Sequence, residues 1–312
     1  MSDVQVLAAR EVPLGGLRAM TVRRTLPHRD RSFVGAWCFV DHYGPTPVGP
    51  GNAGGMDVAP HPHTGLQTVS WLFTGEIEHR DSGGVIGLVR PGEINLMTAG
   101  HGIAHSEVST PATTTLHGVQ LWVALPQSAR DTDRGFEHHA PEPVDLPGGA
   151  GTARVFLGSL TGVGTSPVHT FTPLLGAQLD LLAGAELEVA VDPAYEHAVL
   201  VDRGEVTYDG ASLRLGDLGC RDAGADRMVL RAGPAGARLI LLGGEPFEEE
   251  IVMWWNFVGR SHEEIAAFRE QYEAGSERFG AVPGYVGAVE RIPAPPLPNV
   301  RLQPRSRHGR RD

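Results

Sequence analysis

The amino-acid sequence predicts an all-β protein built from two copies of one β unit, and three observations predict it. Glycine and proline are abundant, at 41 and 24 residues, and spread along the whole chain; that suits short strands joined by turns and leaves little room for long helices. Apolar segments of strand character recur: "SFVGAWCFV", "TVSWLF", "GVIGLV", "HGVQLWVAL", "LEVAV", "AVLVD" and "RLILL". They are rich in Val, Leu and aromatics, and most are bounded by Gly, Asp or Pro. Finally, the chain echoes itself. "TVSWLFTGEIEHRDSG" (68–83) reads like "AVLVDRGEVTYDG" (198–210), with Gly75 and Gly204 in equivalent places, and "VRPGEINLM" (89–97) reads like "LRLGDLGCR" (213–221). An echo at that offset points to a duplicated unit the size of a small domain.

Composition narrows the function classes. Hydrophobic residues make up 41% and charged residues 20% of the 312, ordinary values for a chain with a real core. The net charge of −11 argues against general binding to nucleic acid or to anionic membrane, which needs clustered Lys and Arg. Cys38 and Cys220 are the only cysteines, so there is no disulfide framework. No apolar run approaches the roughly 18 residues of a spanning helix. The opening "MSDVQVLAAREVPLGG" lacks a basic start followed by an apolar stretch. The expectation is a cytoplasmic, soluble protein with no membrane partner.

Along the chain, Cys38 in "SFVGAWCFV" reads as core, and the adjacent Asp41 and His42 lack any nucleophile motif. The first chemistry lies in "APHPHTGLQTVSW" (59–71). Side chains at i and i+2 of an extended chain project to the same side, and Pro62 biases its predecessor toward extended geometry. His61 and His63 therefore stand side by side. Alone, such a pair is an ordinary surface feature. A second pair follows in "TAGHGIAHSEVS" (98–109), where His105 and Glu107 are again i and i+2. Two such pairs on neighbouring strands of a barrel would aim four ligands into one cavity. Three neutral imidazoles and a carboxylate form a set suited to Fe(II), Mn(II), Ni(II), Cu(II) or Zn(II), with two positions open in an octahedral metal. A closed structural zinc site usually recruits cysteine instead. In "HGVQLWVAL", His117 and Gln120 fall on opposite faces by alternation, and Gln120 is the one read as neighbouring the ligands.

These motifs are recognisable. "GMDVAPHPHTGLQTVSWLFTGEIEHRDS" with "GEINLMTAGHGIAHSE" resembles the two motifs of cupin barrels in the version found in pirins. "RSFVGAWCFVDHYGP", "HGVQLWVALP" and "WWNFVGRSHEEIAAFREQYEAG" support the resemblance, which runs over about residues 10–285. It implies a bicupin, two antiparallel β-barrels of jelly-roll type face to face, with one metal in the N-terminal barrel held by His61, His63, His105 and Glu107. The implied metal is one divalent ion per chain, iron first, with Mn, Ni, Cu or Zn as alternatives. Two departures stand out: Gln67 replaces a Glu that cupins and pirins carry, and His101 stands where many pirins have Arg. The second barrel keeps only His197 near the corresponding position, so no metal is expected there.

The domain reading is 1–135 for the metal-binding barrel, 136–290 for a degenerate barrel with a helix, and 291–312 for a disordered Pro/Arg-rich tail. His138 and His139 fall in the expected linker, and Trp254 and Trp255 are expected to pack the second barrel or the interface between barrels. The helix is "SHEEIAAFREQYEAG", with Ser261 and Glu264 as a capping box, Ile265, Phe268 and Tyr272 on one face, and Gly275 as the stop.

The resemblance implies quercetin 2,3-dioxygenase activity, which opens the flavonol central ring with O2 and releases carbon monoxide. Glu107 would act as ligand or as the base that takes the substrate's hydroxyl proton. The alternative it implies is a regulator that binds a transcription factor or metabolic enzyme, switched by the oxidation state of the metal. A monomer is expected in either case.

Overall fold

In the computed structural model, residues 3–14, 20–287 and 289–307 are described. They are mostly β, in antiparallel sheets, with one α-helix, α1 (His262–Glu273). Among the described residues, no helix is long and apolar enough to cross a membrane.

The chain forms two compact units. One contains Arg23–His42 and His139–Phe247 with the N-terminal stretch to Arg10. Its sheet runs in the order Gln5–Leu7, Leu218–Arg221, Glu196–Tyr208, Arg227–Gly244, Leu174–Leu181, Gly151–Leu160, Val144–Asp145. Val199, Val201, Leu179, Leu187, Leu239 and Leu241 fill its core. Buried charges there are paired: Glu196 accepts from Arg31 (3.0 Å) and from the amide of Gly35 (2.8 Å). Asp202 sits 2.8 Å from His42 Nε2 and accepts from Arg238 (2.5 Å). Asp41 takes both prongs of Arg24 (2.6 and 2.7 Å), a structural ion pair.

The other unit contains Tyr43–His138, Glu11–Val22 and the chain from Glu248 onward. Its strands that matter for the site are β1 (Asp57–His63), β2 (Leu66–Thr74), β3 (Ile77–Asp81), β4 (Ile86–Val89), β5 (Ile94–Thr98), β6 (Ile103–Ser109), β7 (Thr115–Ala124), β8 (Val252–Trp254) and β9 (Phe257–Gly259). One sheet has the order β1-β6-β3-β4; in another, β2 lies between β5 and β7.

The internal echo has a structural counterpart. Strand β2 lies between β5 and β7, and Glu196–Tyr208 lies between Leu218–Arg221 and Arg227–Gly244. Gly75 and Gly204 both take positive φ, 96° and 79°, and a Cβ at either would strike a carbonyl oxygen, that of Thr115 at 2.7 Å or of Gly236 at 2.1 Å. Only glycine fits both demands. The chain breaks between β2 and β3 at the first, whereas at the second it continues as one strand with a register shift.

The chain from Glu248 onward belongs to the unit of β1–β7. Helix α1 lies within it, against β1 and β6. Phe257, Ile265, Phe268, Tyr272 and Phe279 form a cluster with Ala104 of β6, and the Tyr272 hydroxyl donates to the Pro60 carbonyl (3.3 Å). Trp255 joins the same cluster, 5.4 Å from Phe257 and 5.9 Å from Tyr272. An aromatic face of this size finds its apolar partner beside β1 and β6. The expectation of a disordered tail fails over residues 291–307. Ala294 is buried in that cluster, Ile292 donates its amide to Pro60 (2.8 Å), and Arg305 exchanges backbone bonds with Ile251. Proline-rich chain can pack without regular structure because its few apolar side chains find a ready surface; residues 308–312 lie outside the described residues.

The cap of α1 matches its expectation in part. Ser261 accepts from the Glu264 amide (3.2 Å), but Glu264 turns back one residue further, to the amide of Arg260 (2.7 Å), and also pairs with Arg130. Ile265, Phe268 and Tyr272 are buried, and Gly275 follows the helix at φ 70°.

Candidate metal centre

Pairing register brings the first two motifs together. His105 of β6 stands directly opposite His61 of β1, and Ile103 opposite His63, with a register shift after His105. The i, i+2 spacing then turns His61 and His63 to the same side. Ring centroids are 4.3 Å apart for His61 and His105, and 5.0 Å for both other pairs. One donor nitrogen from each ring lies within 4.8 Å of the other two, a grouping able to hold a metal ion. Trp122 of β7 packs edge-on against His63 at 5.1 Å.

The cluster is nearly sealed, with His61, His63 and His105 exposing 6, 1 and 1% of their surface. Burial holds His61 down to about 4, and burial plus the neighbouring imidazoles hold His63 and His105 well below the usual histidine range. All three are therefore neutral at pH 7, each with one ring proton.

Hydrogen bonds place two of those protons. His61 Nδ1 lies 3.0 Å from the Ala59 carbonyl, and His63 Nδ1 lies 3.1 Å from the Asn256 carbonyl. A carbonyl only accepts, so each Nδ1 carries the hydrogen and each Nε2 is left with a lone pair. Asn256 is presented by the tight turn between β8 and β9, where Trp255 takes φ 52°. The hairpin is tied to the end of β1 through Thr64, whose hydroxyl and carbonyl bond Val258 (3.1 and 3.2 Å).

These donors fit a divalent metal. His63 Nε2 and His105 Nε2 face each other at 3.1 Å. With metal–nitrogen bonds of about 2.0–2.1 Å, two ligands at a right angle sit about 2.9 Å apart and at a tetrahedral angle about 3.4 Å. The observed separation lies between. The His63 Nε2 lone pair in this contact is met either by an N–H of His105 or, with both nitrogens bare, by a cation between them.

Glu107 does not join that group of three. Its backbone pairs with His79 of β3, and its buried carboxylate has Oε1 at 3.1 Å from the Ser70 hydroxyl, which lies 2.9 Å from Gln120 Oε1. Burial raises the Glu107 pKa, against the pull of the Ser70 bond. Gln120 thus reaches the carboxylate through Ser70. His117 is buried edge-on to Phe73 at 4.9 Å. Gln67 donates to Thr98 (3.0 Å), and its buried Oε1 has no partner. His101 is exposed, with its carbonyl bonded by Arg278, and His138 bonds Asn95 (2.7 Å). His197, in the other unit, is buried, and burial lowers it to about 4; its Nε2 has no hydrogen-bond partner.

Sequence reasoning missed a third pair. His79 and Asp81, in "EHRDS", have the same i, i+2 spacing as the other two and lie on the strand flanking β6. Asp81 stands opposite His105. His79 Nδ1 lies 3.3 Å from His105 Nδ1, and its Nε2 lies 3.1 Å from Asp81 Oδ2. Burial opposes ionisation of Asp81, but bonds from His79 and from the Val85 and Gly83 amides hold its pKa below the usual value.

Comparison with known proteins agrees with this architecture. The family model "Pirin" matches residues 18–123, and "Pirin C-terminal cupin domain" matches residues 176–280. A Pseudomonas aeruginosa protein named "Putative quercetin 2,3-dioxygenase PA1205" is 43% identical over 295 residues, covering 95% of this chain and 91% of that protein. The crystal structure of quercetin 2,3-dioxygenase from Acinetobacter baumannii superposes with a TM-score of 0.89 at 38% identity, covering 96% of this chain and 97% of that one. The fold is also that of bacterial pirin YhhW from Escherichia coli in complex with nickel(II), with a TM-score of 0.60 at 19% identity, covering 78% of this chain and 100% of that one. The chain belongs to the pirin family, bicupins with an N-terminal and a C-terminal cupin domain.

Proposed function

We propose that this chain is a metal-dependent dioxygenase of the quercetin 2,3-dioxygenase type, acting on a flavonol-like substrate with O2. The observation that carries the reading is the cluster of three neutral imidazoles, two of them with Nε2 lone pairs fixed by carbonyl acceptors. His61, His63 and His105 would hold one divalent metal, with Glu107 as the fourth ligand. Iron is the metal the family resemblance favours, and the nickel of the Escherichia coli relative shows that a pirin can bind another. Names of relatives at 43 and 38% identity support the activity.

A bound metal of this class would supply a Lewis acid that polarises the substrate's oxygens and activates the substrate toward dioxygen. The chain's own residues supply the rest. Carbonyls of Ala59 and Asn256 fix the imidazole planes, and Trp122 walls the cluster on the His63 side. Glu107 Oε1, beside the Ser70 hydroxyl, is the site that takes the flavonol 3-hydroxyl proton. Its raised pKa suits a carboxylate that must accept a proton near neutral pH. Because the rings are nearly sealed, a flavonol must displace covering side chains to reach them. That closure favours the second reading, a redox-switched regulator that binds a protein partner without turnover.

The test is oxygen uptake with quercetin by protein loaded in turn with Fe(II), Mn(II), Ni(II) and Cu(II). Turnover above a metal-only control supports the enzyme. None with any metal refutes it and leaves the regulator.

A further inference from the structure

Metal-binding histidines almost always donate their second ring N–H to a carbonyl, a carboxylate or water, which fixes the tautomer. His61 and His63 follow that rule with carbonyls. His105 does not. Its Nδ1 faces another imidazole, His79 Nδ1, at 3.3 Å, and the carboxylate of Asp81 stands one ring further back, 3.1 Å from His79 Nε2. His79 is buried with its ring against Phe136 at 4.8 Å, and Asp81 is fixed through Oδ1 by the amides of Gly83 (2.8 Å) and Val85 (3.1 Å).

We infer that Asp81 and His79 form a relay that sets the tautomer of His105 and so decides whether its Nε2 can bind a metal. The inference rests on the reading of the three imidazoles as a metal site. Carboxylates only accept, so the ring proton of His79 sits on Nε2, toward Asp81. The lone pair of His79 then lies on Nδ1 and faces His105. His105 has one ring proton and two such acceptors, His79 Nδ1 at 3.3 Å and His63 Nε2 at 3.1 Å; donation to His79 puts the proton on Nδ1 and clears Nε2 for a metal, and that is the tautomer the relay selects. Neither residue touches the metal; both are positioning residues.

Asp81→Asn tests the relay with no change of shape. The Gly83 and Val85 amides still require an oxygen at Oδ1, so the new NH2 points at His79 and donates to Nε2. The His79 proton moves to Nδ1 and the His105 proton to Nε2, where it blocks the metal position. In metal-free protein with 15N-labelled histidine, long-range imidazole spectra should show His105 protonated at Nδ1 in the wild type and at Nε2 in the variant. A His105→Asn sample assigns the signals. Chelator competition should show Zn(II) binding about 10- to 100-fold weaker in Asp81→Asn, the usual effect of losing a ligand's hydrogen-bond partner. His79→Leu should lose similar affinity, whereas His79→Asn, whose amide oxygen can accept from His105, should restore most of it. A purely structural role would change stability without switching the tautomer.

Wild-type His105 found protonated at Nε2 would overturn the relay, as would an Asp81→Asn protein that keeps both the wild-type tautomer and the wild-type Zn(II) affinity. If wild-type protein binds no Zn(II), the metal reading fails, and the tautomer spectra still decide the relay.

Discussion

Protonation of His197 should set part of this protein's acid sensitivity. The ring is 1% exposed, and burial lowers its pKa to about 4, with Asp192 pulling it up and Arg221 pushing it down. In the unfolded chain its pKa is about 6.5. Between those values the unfolded state binds a proton that the folded state refuses, so stability falls as pH drops through that window. Each unit of pKa difference is worth about 1.4 kcal/mol, and the loss on going from pH 7 to pH 4.5 comes to about 2.5 kcal/mol. His197→Gln keeps a polar side chain but has nothing to titrate. Urea unfolding of both proteins at pH 7 and pH 4.5, followed by circular dichroism, isolates the effect, because every other group titrates in both. The wild type should lose about 2.5 kcal/mol more than the variant. Equal losses would show that the buried ring pays no protonation penalty, and the reasoning from burial would fail.

Other outcomes follow from the site and its support. Glu107→Gln should retain metal, while oxygen uptake with quercetin falls by about 10²–10⁴-fold, the scale of a lost general base; an unimpaired variant would leave Glu107 as a ligand alone. Phe257→Ala removes the centre of the aromatic cluster beneath the β8–β9 hairpin and should cost about 3–5 kcal/mol by chemical denaturation, with looser metal retention because Asn256 no longer holds His63 firmly. Ser261→Ala removes the side-chain cap of α1 and should cost about 1 kcal/mol while leaving metal content unchanged. His197→Gln should also leave the metal content unchanged, since that imidazole lies in the unit without the cluster.

How much of this was legible in the sequence depends on whether the signal was local. The i, i+2 pairs are local, and alternation along an extended chain was enough to set His61 beside His63. Pairing His105 with His61 took strand register, which the sequence does not print and the motif resemblance supplied. Gly75 and Gly204 announced the duplicated unit because one backbone requirement, positive φ against a carbonyl, recurs in both. The helix was legible through Ser261, Ile265, Phe268 and Tyr272, but its packing partner was not. Periodicity reveals an apolar face without saying which surface receives it. For the same reason residues 291–307 read as a free tail although Ile292 and Ala294 are anchored. His79 and Asp81 carried the same spacing as the other pairs and were passed over, since a His–x–Asp pair in a polar turn looks like solvated surface until β3 is known to flank β6.

The most direct test of the central claim is metal content measured by elemental analysis on wild-type protein and on His63→Ala, each loaded with Fe(II) or Ni(II) under anaerobic conditions and then desalted. The account predicts about one metal per wild-type chain and loss of most of it in the variant, because removing one of three clustered imidazoles takes away both a ligand and the geometry of the other two. A wild type that retains none, or a His63→Ala protein that retains as much as the wild type, would contradict it.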